Sequence, residues 1–239
     1  KRLSDNSFWT GAASWSGLTT MGAAQGVSVY VSSWSVDSGN LPTALDLTSG
    51  GSYYVTTAGA DNANGGGNVE SFDSVRGSTF TYDVTNPVTS IISPLDGAYR
   101  NSVTNFTGSG SDNVGISTVV LSVQDLSISA PNCYSPAANA FNAACPNWFG
   151  AMGSTTSWNF TFATPPWIQA HQYIVKSSAT DSATNNQTAL STAAFTYDVF
   201  AATAAITTPA AGYLGPVATS ILGTATDSPA GVKIGRAHV

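Results

Sequence analysis

Two cysteines, Cys133 and Cys145, stand twelve residues apart in a segment rich in Pro, Ala and Asn. Joined as a disulfide they would close that loop and stabilise a fold by about 3 kcal/mol in the chain-entropy treatment. Such a bond belongs to an oxidising compartment. Two buried free thiols are the other reading of the pair. A metal site is poorly supported, because no histidine or third cysteine lies nearby in the sequence. His171, just before an apolar run, is the only histidine ahead of the last six residues. Nucleophilic catalysis needs a base held by a carboxylate and a nucleophile presented on a strained turn, and no such signature is present. Glycoside hydrolysis needs two facing carboxylates, yet Glu70 is the only glutamate and the aspartates sit singly between apolar runs. No catalytic residue is expected. Exposed aromatic rings could instead stack on sugar faces. Trp158 and Phe160 alternate as core residues do, which leaves Trp148 and Trp167 as candidates for ligand stacking, with core packing as their alternative role.

The elements that must position these residues are strands. Of 239 residues only 8% are charged and about a quarter are Ser or Thr, with 23 Gly and 11 Pro. Helical surfaces draw on Glu, Lys, Arg and Gln, which are scarce in this sequence, so a helical protein is excluded. Seven basic residues and a formal net charge of −6 give no electrostatic footprint for nucleic acid. No uninterrupted apolar run reaches the length that spans a bilayer. With 42% hydrophobic residues the chain is too apolar for disorder.

The chain repeats itself. Phe80-Thr81-Tyr82-Asp83-Val84 returns as Phe195-Thr196-Tyr197-Asp198-Val199, and the same offset of 115 pairs Ile91 with Ile206, Gly108 with Gly223 and Asp112 with Asp227. Upstream the offset drifts to 120, pairing Tyr53 with Tyr173 and Asp61 with Asp181, as short loop insertions would cause. A unit of about 115 residues is one ordinary domain. Residues 1–87 then form the back part of one module, 88–202 a complete one, and 203–233 the front of a third, expected to be poorly ordered or to borrow a neighbour's edge. Residues 234–239 break the pattern and read as the translation of a sequencing adapter; the sequence is expected to be an interior stretch of a longer protein. Within 88–202, period-2 alternation and turn signals predict strands near 89–92, 103–108, 116–123, 157–162, 173–179 and 194–199. Val119, Leu121, Val123, Trp158, Phe160, Phe162, Tyr173, Val175, Phe195 and Tyr197 are expected to face inward. The fold class expected is all-β, an antiparallel sandwich.

The series Ser-Pro-x-x-Gly (93–97), Gly-Ser-Gly-Ser-Asp-Asn-Val-Gly (108–115), Tyr-x-Val-x-x-x-Ala-x-Asp (173–181) and Phe-Thr-Tyr-Asp (195–198) resembles bacterial immunoglobulin-like repeats. The likeness covers residues 1–233 and departs after Asp181, where the usual glycine is missing, although the first repeat carries Gly65-Gly66-Gly67 there. It implies tandem sandwich modules of a large secreted or surface protein, working as spacers or binding units outside the cell. In such a sandwich two loops share one end, which would bring Asp112 and Asn113 towards Asp181 and Asn185, beside the Asp83–Pro87 linker. Oxygen ligands converging there suit Ca2+; the competing reading is that each side chain caps its own turn. The partners implied are neighbouring modules of the same chain and a cell-surface protein or glycan. An accessory module of a secreted hydrolase is the alternative function.

Overall fold

The computed structural model describes residues 1–10, 14–17, 27–29, 33–36, 39, 41–59, 61, 63, 68, 70, 76–154, 156–209, 212 and 220–232. The glycine run at 65–67 and the tail at 233–239 lie outside them. All regular structure among the described residues is strand, apart from isolated 3-10 turns. No described helix is long and apolar enough to cross a membrane. The chain divides into two compact units, Lys1–Thr85 and Asn86–Val239.

The first unit contains β1 (Phe8–Trp9), β2 (Trp15–Ser16), β3 (Val27–Val29), β4 (Trp34–Val36), β5 (Gly51–Val55) and β6 (Ser78–Tyr82), which pair as three antiparallel hairpins. Tyr53 is its most buried described side chain. Phe80 stacks on it at 5.5 Å and Trp15 lies 5.4 Å away.

The second unit opens with β7 (Val88–Ser93), β8 (Ala98–Arg100), β9 (Asn105–Ser111) and β10 (Ile116–Asp125). A long connection follows, carrying β11 (Cys133–Ser135), β12 (Ala140–Ala143), β13 (Phe149–Gly150) and β14 (Met152–Ser154). Then come β15 (Ser157–Thr161), β16 (Gln172–Asp181), β17 (Ser191–Tyr197), β18 (Thr203–Thr208) and β19 (Leu222–Thr226). One sheet runs β12-β11-β10-β16-β17-β8, with β13 also on β10; the other runs β14-β15-β9-β7. Every pairing is antiparallel except β17 with β8. Inward side chains of both sheets form one core: Phe106 and Trp158 from the smaller sheet, Leu121, Val123, Tyr173, Val175 and Phe195 from the larger. Two sheets sharing one core make a β-sandwich. The alternation read from the sequence sets its faces, since Val119, Leu121, Val123, Trp158, Phe162, Tyr173, Val175 and Phe195 are buried, while Phe160 and Tyr197 pack half-buried against them. Gly108 is the one position where a side chain would collide with the Trp158 ring and with the backbone oxygen of Ser90. Its bare backbone lets the indole lie flat across β9.

Three features recur at the sequence offsets. Tyr173 pairs with Phe195, and their rings stack at 5.2 Å with planes 27° apart; Tyr53 and Phe80 repeat this at 5.5 Å and 27°. In both, the tyrosine hydroxyl accepts the backbone N–H five residues earlier, from Ile168 and Thr48, each at 2.8 Å. β18 and β19 pair Ile206 with Gly223 and shift register before Thr208. β7 and β9 do the same with Ile91, Gly108 and Ser93, 115 residues earlier. Within residues 203–233, expected to be poorly ordered or to borrow an edge, β18 and β19 pair with each other as a separate two-stranded sheet.

Candidate functional site

The loop between β9 and β10 and the loop between β16 and β17 carry the oxygen ligands singled out in the sequence. Asp112 Oδ2 accepts the backbone N–H groups of Val114 and Gly115, both at 2.9 Å. Asp181 Oδ1 accepts those of Ala183 and Asn185 at 2.8 Å, and its Oδ2 accepts the Asn185 side-chain amide, also at 2.8 Å. A carboxylate oxygen of Asp112 comes within 4.8 Å of one of Asp181. The two aspartates are therefore brought together, Asn185 joins Asp181, and Asn113 sits exposed on the first loop. Each carboxylate is engaged by its own turn, the pattern of Asx capping. Asp61 repeats the Asp181 arrangement in the first unit, accepting from the backbone of Ala63 and from backbone and side chain of Asn68. These bonds hold its carboxyl below the usual range. The loop from Asp61 to Asn68 is longer than that from Asp181 to Asn185, which accounts for part of the drift in the repeat offset.

The connection between β10 and β14 folds back along the free edge of β10. Cys133 and Cys145 are joined as a disulfide with Cα atoms 5.2 Å apart. The bond ties β11, which pairs with Gln124, to the stretch leading into β13, which pairs with Val120 and Leu121. Asn147 reinforces the tie, its side-chain amide donating to the Tyr134 carbonyl at 2.8 Å. Tyr134, Phe141 and Phe149 turn inward and extend the core. Trp148, adjacent to Phe149, turns the other way and is 38% exposed. It borders a depression of about 210 Å3 on the outer face of the larger sheet, with the disulfide, Ser122, Gln124, Lys176 and Leu190 around it.

Trp167, the other stacking candidate, is spoken for by the core. The rings of Phe162, Tyr173 and Phe195 lie 4.8–5.2 Å away, those of Phe106 and Phe141 at 5.7 and 5.9 Å. Its indole N–H donates to the Val103 carbonyl at 2.6 Å. Of the two, Trp148 keeps the open face.

One pair was missed in the sequence. His171 Nδ1 lies 2.7 Å from Oδ2 of Asp125, whose carboxylate is fully buried and also accepts the Ser127 N–H at 2.9 Å. Asp125 occupies the inward register of β10, opposite Tyr173 on β16. Only its place in the Val119, Leu121, Val123 alternation could have flagged it, as a carboxylate on the apolar face. Burial pushes the neighbouring Tyr173 phenol well above its ordinary value.

No family model and no curated protein matches the chain. Among solved structures, the chain is similar to the crystal structure of CopC from Methylosinus trichosporium OB3b, with a TM-score of 0.32 and 14% identity over 46% of this chain and 94% of that one. Nothing is carried over at that level of likeness.

Proposed function

We propose that this chain is a run of immunoglobulin-like modules with a non-catalytic role in a large secreted or cell-surface bacterial protein. In this reading they space, or adhesively display, other parts of the molecule outside the cell. The observation that carries the reading is the recurrence of one strand geometry along the chain. The tyrosine–phenylalanine stack with its hydroxyl bond to the residue five earlier occurs in both units, at Tyr53 and Tyr173. The glycine-centred hairpin with its register shift occurs at Gly108 and again at Gly223. Modules that repeat a framework rather than a reactive centre suit a mechanical task. The Cys133–Cys145 disulfide supports an oxidising, extracellular setting. Asp112 and Asp181 are satisfied by their own turns, so the reading does not call on calcium.

Pulling the chain from its ends by force spectroscopy tests the reading. A module of 88–202 should yield in one cooperative event, with a contour gain of at most about 400 Å in reductant and about 40 Å less with the disulfide closed. Extension without a cooperative peak, or a gain indifferent to reductant, would count against a load-bearing module.

A further inference from the structure

We propose that the depression beside the disulfide binds an acidic sugar, with the exposed indole of Trp148 as its stacking platform and Lys176 as the partner of the sugar carboxylate. The inference needs only the fold of residues 88–202 and stands independently of the spacer reading.

The connection between β10 and β14 brings four aromatic residues to this edge of the sandwich. Tyr134, Phe141 and Phe149 enter the core, and Trp148 alone is left facing solvent. Its presentation is fixed on both sides. Cys145 is bonded to Cys133, Asn147 is anchored on the Tyr134 carbonyl, and Phe149 is paired to Leu121 and packed 4.7 Å from Phe160. A ligand therefore meets a ring already in place, and little ordering is left to oppose binding.

Across the depression stands Lys176, on the outward register of β16 between the buried Val175 and Ser177 and directly opposite Ser122. Within 88–202 it and Arg100 are the only basic residues. Its ammonium has no ion pair among the described residues, in a chain whose net charge is −6. Gln124, two residues further along β10, adds an amide able both to donate and to accept. Leu190, 43% exposed, forms an apolar wall.

Ligand sites combine an aromatic or apolar lining with a few placed polar groups. This one is smaller than the roughly 300–1,000 Å3 of clefts for drug-sized ligands, and so suits one sugar ring of a longer glycan rather than a whole enclosed molecule. The apolar C–H face of a pyranose lies on the indole, the hydroxyls reach Gln124, and a ring carboxylate makes a charge-assisted bond to Lys176. At 0.15 M salt the net charge of the molecule is screened beyond about 8 Å, so the local cation decides the preference.

The test is an isothermal calorimetric titration of the whole chain with tetragalacturonate, a mannuronate tetramer, a hyaluronan tetrasaccharide and sialyllactose, with cellotetraose and lactose as neutral counterparts. Trp148→Phe, Trp148→Ala and Lys176→Gln are run alongside, each checked for an unchanged melting temperature. The expected result is saturable binding of at least one acidic oligosaccharide, lost in Trp148→Ala and retained in Trp148→Phe. Lys176→Gln should weaken it about tenfold without altering any neutral binding. No saturable response to any of the acidic sugars, or a response that Trp148→Ala leaves intact, overturns the proposal. Neutral and acidic sugars bound alike, with Lys176→Gln without effect, would overturn the assigned role of Lys176 and with it the acidic ligand class.

Discussion

The least expected side chain is Asp125, a carboxylate with no solvent exposure set among Val123, Tyr173 and Val175. It is tolerated because His171 Nδ1 and the Ser127 N–H both point at it. Removing a partner from a buried charged group costs about 2–3 kcal/mol. His171→Ala should accordingly lower stability by that amount in urea unfolding, and Asp125→Asn combined with His171→Ala should recover part of the loss. A neutral single substitution would show that water replaces the imidazole. The sequence made these residues hard to read because each looks ordinary alone: Asp125 ends an apolar run as turn residues do, and a lone histidine before a strand is usually an edge residue. Their link spans 46 positions, and only the pairing of β10 with β16 brings it about. Gly108 was similarly opaque, since what requires a glycine there is the Trp158 ring lying across β9. Asp112 and Asp181 were legible as loop-end residues, and their approach to within 4.8 Å followed from the two loops sharing one end.

Among the elements, strands with clean alternation were legible, because a period of two with one apolar face admits a single register against the core. β10 and β16 lie within a few residues of their expected limits, and their inward positions are buried as expected. What alternation could not deliver are β8, whose three residues join β17 in parallel, and the short strands β11 to β13. These are too brief for periodicity to show; β12 pairs with β11 and β8 with β17, while β11 and β13 form on the free edge of β10, which offers unpaired backbone groups. The Cys133–Cys145 bond fastens them. Replacing both cysteines by serine should cost about 3 kcal/mol, read as a lowered denaturation midpoint with the fold retained. An unchanged midpoint would mean that the pairing of β11 and β13 with β10 holds the connection without the bond.

Across the whole molecule, charge is sparse and acidic, and several carboxylates are held below the ordinary range by local donors. Asp198 is held down chiefly by the Gln169 side-chain amide at 2.7 Å, with Ala230 and Phe200 backbone N–H groups in support. Asp5 is lowered by Arg2 and Ser7, and Asp61 by Asn68 and Ala63. A carboxyl whose folded pKa is depressed contributes stability above its unfolded value, near 3.9, and that contribution is lost as pH falls through the folded value. Melting temperature should thus be flat from neutral pH to about 4 and fall below it. Asp198→Asn should melt lower than the parent at pH 7 and converge with it in acid, whereas a constant offset at every pH would exclude a charge effect.

The proposed module, residues 88–202, should fold without the rest of the chain. Its most direct test is equilibrium urea unfolding of residues 86–202 expressed alone, followed by tryptophan fluorescence and circular dichroism. One coincident two-state transition is expected, with a slope of about 1–3 kcal/mol/M, at the midpoint this module shows in the full chain. An excised segment that stays unfolded, or whose two probes disagree, would contradict it, since the sandwich core would then depend on residues outside the repeat.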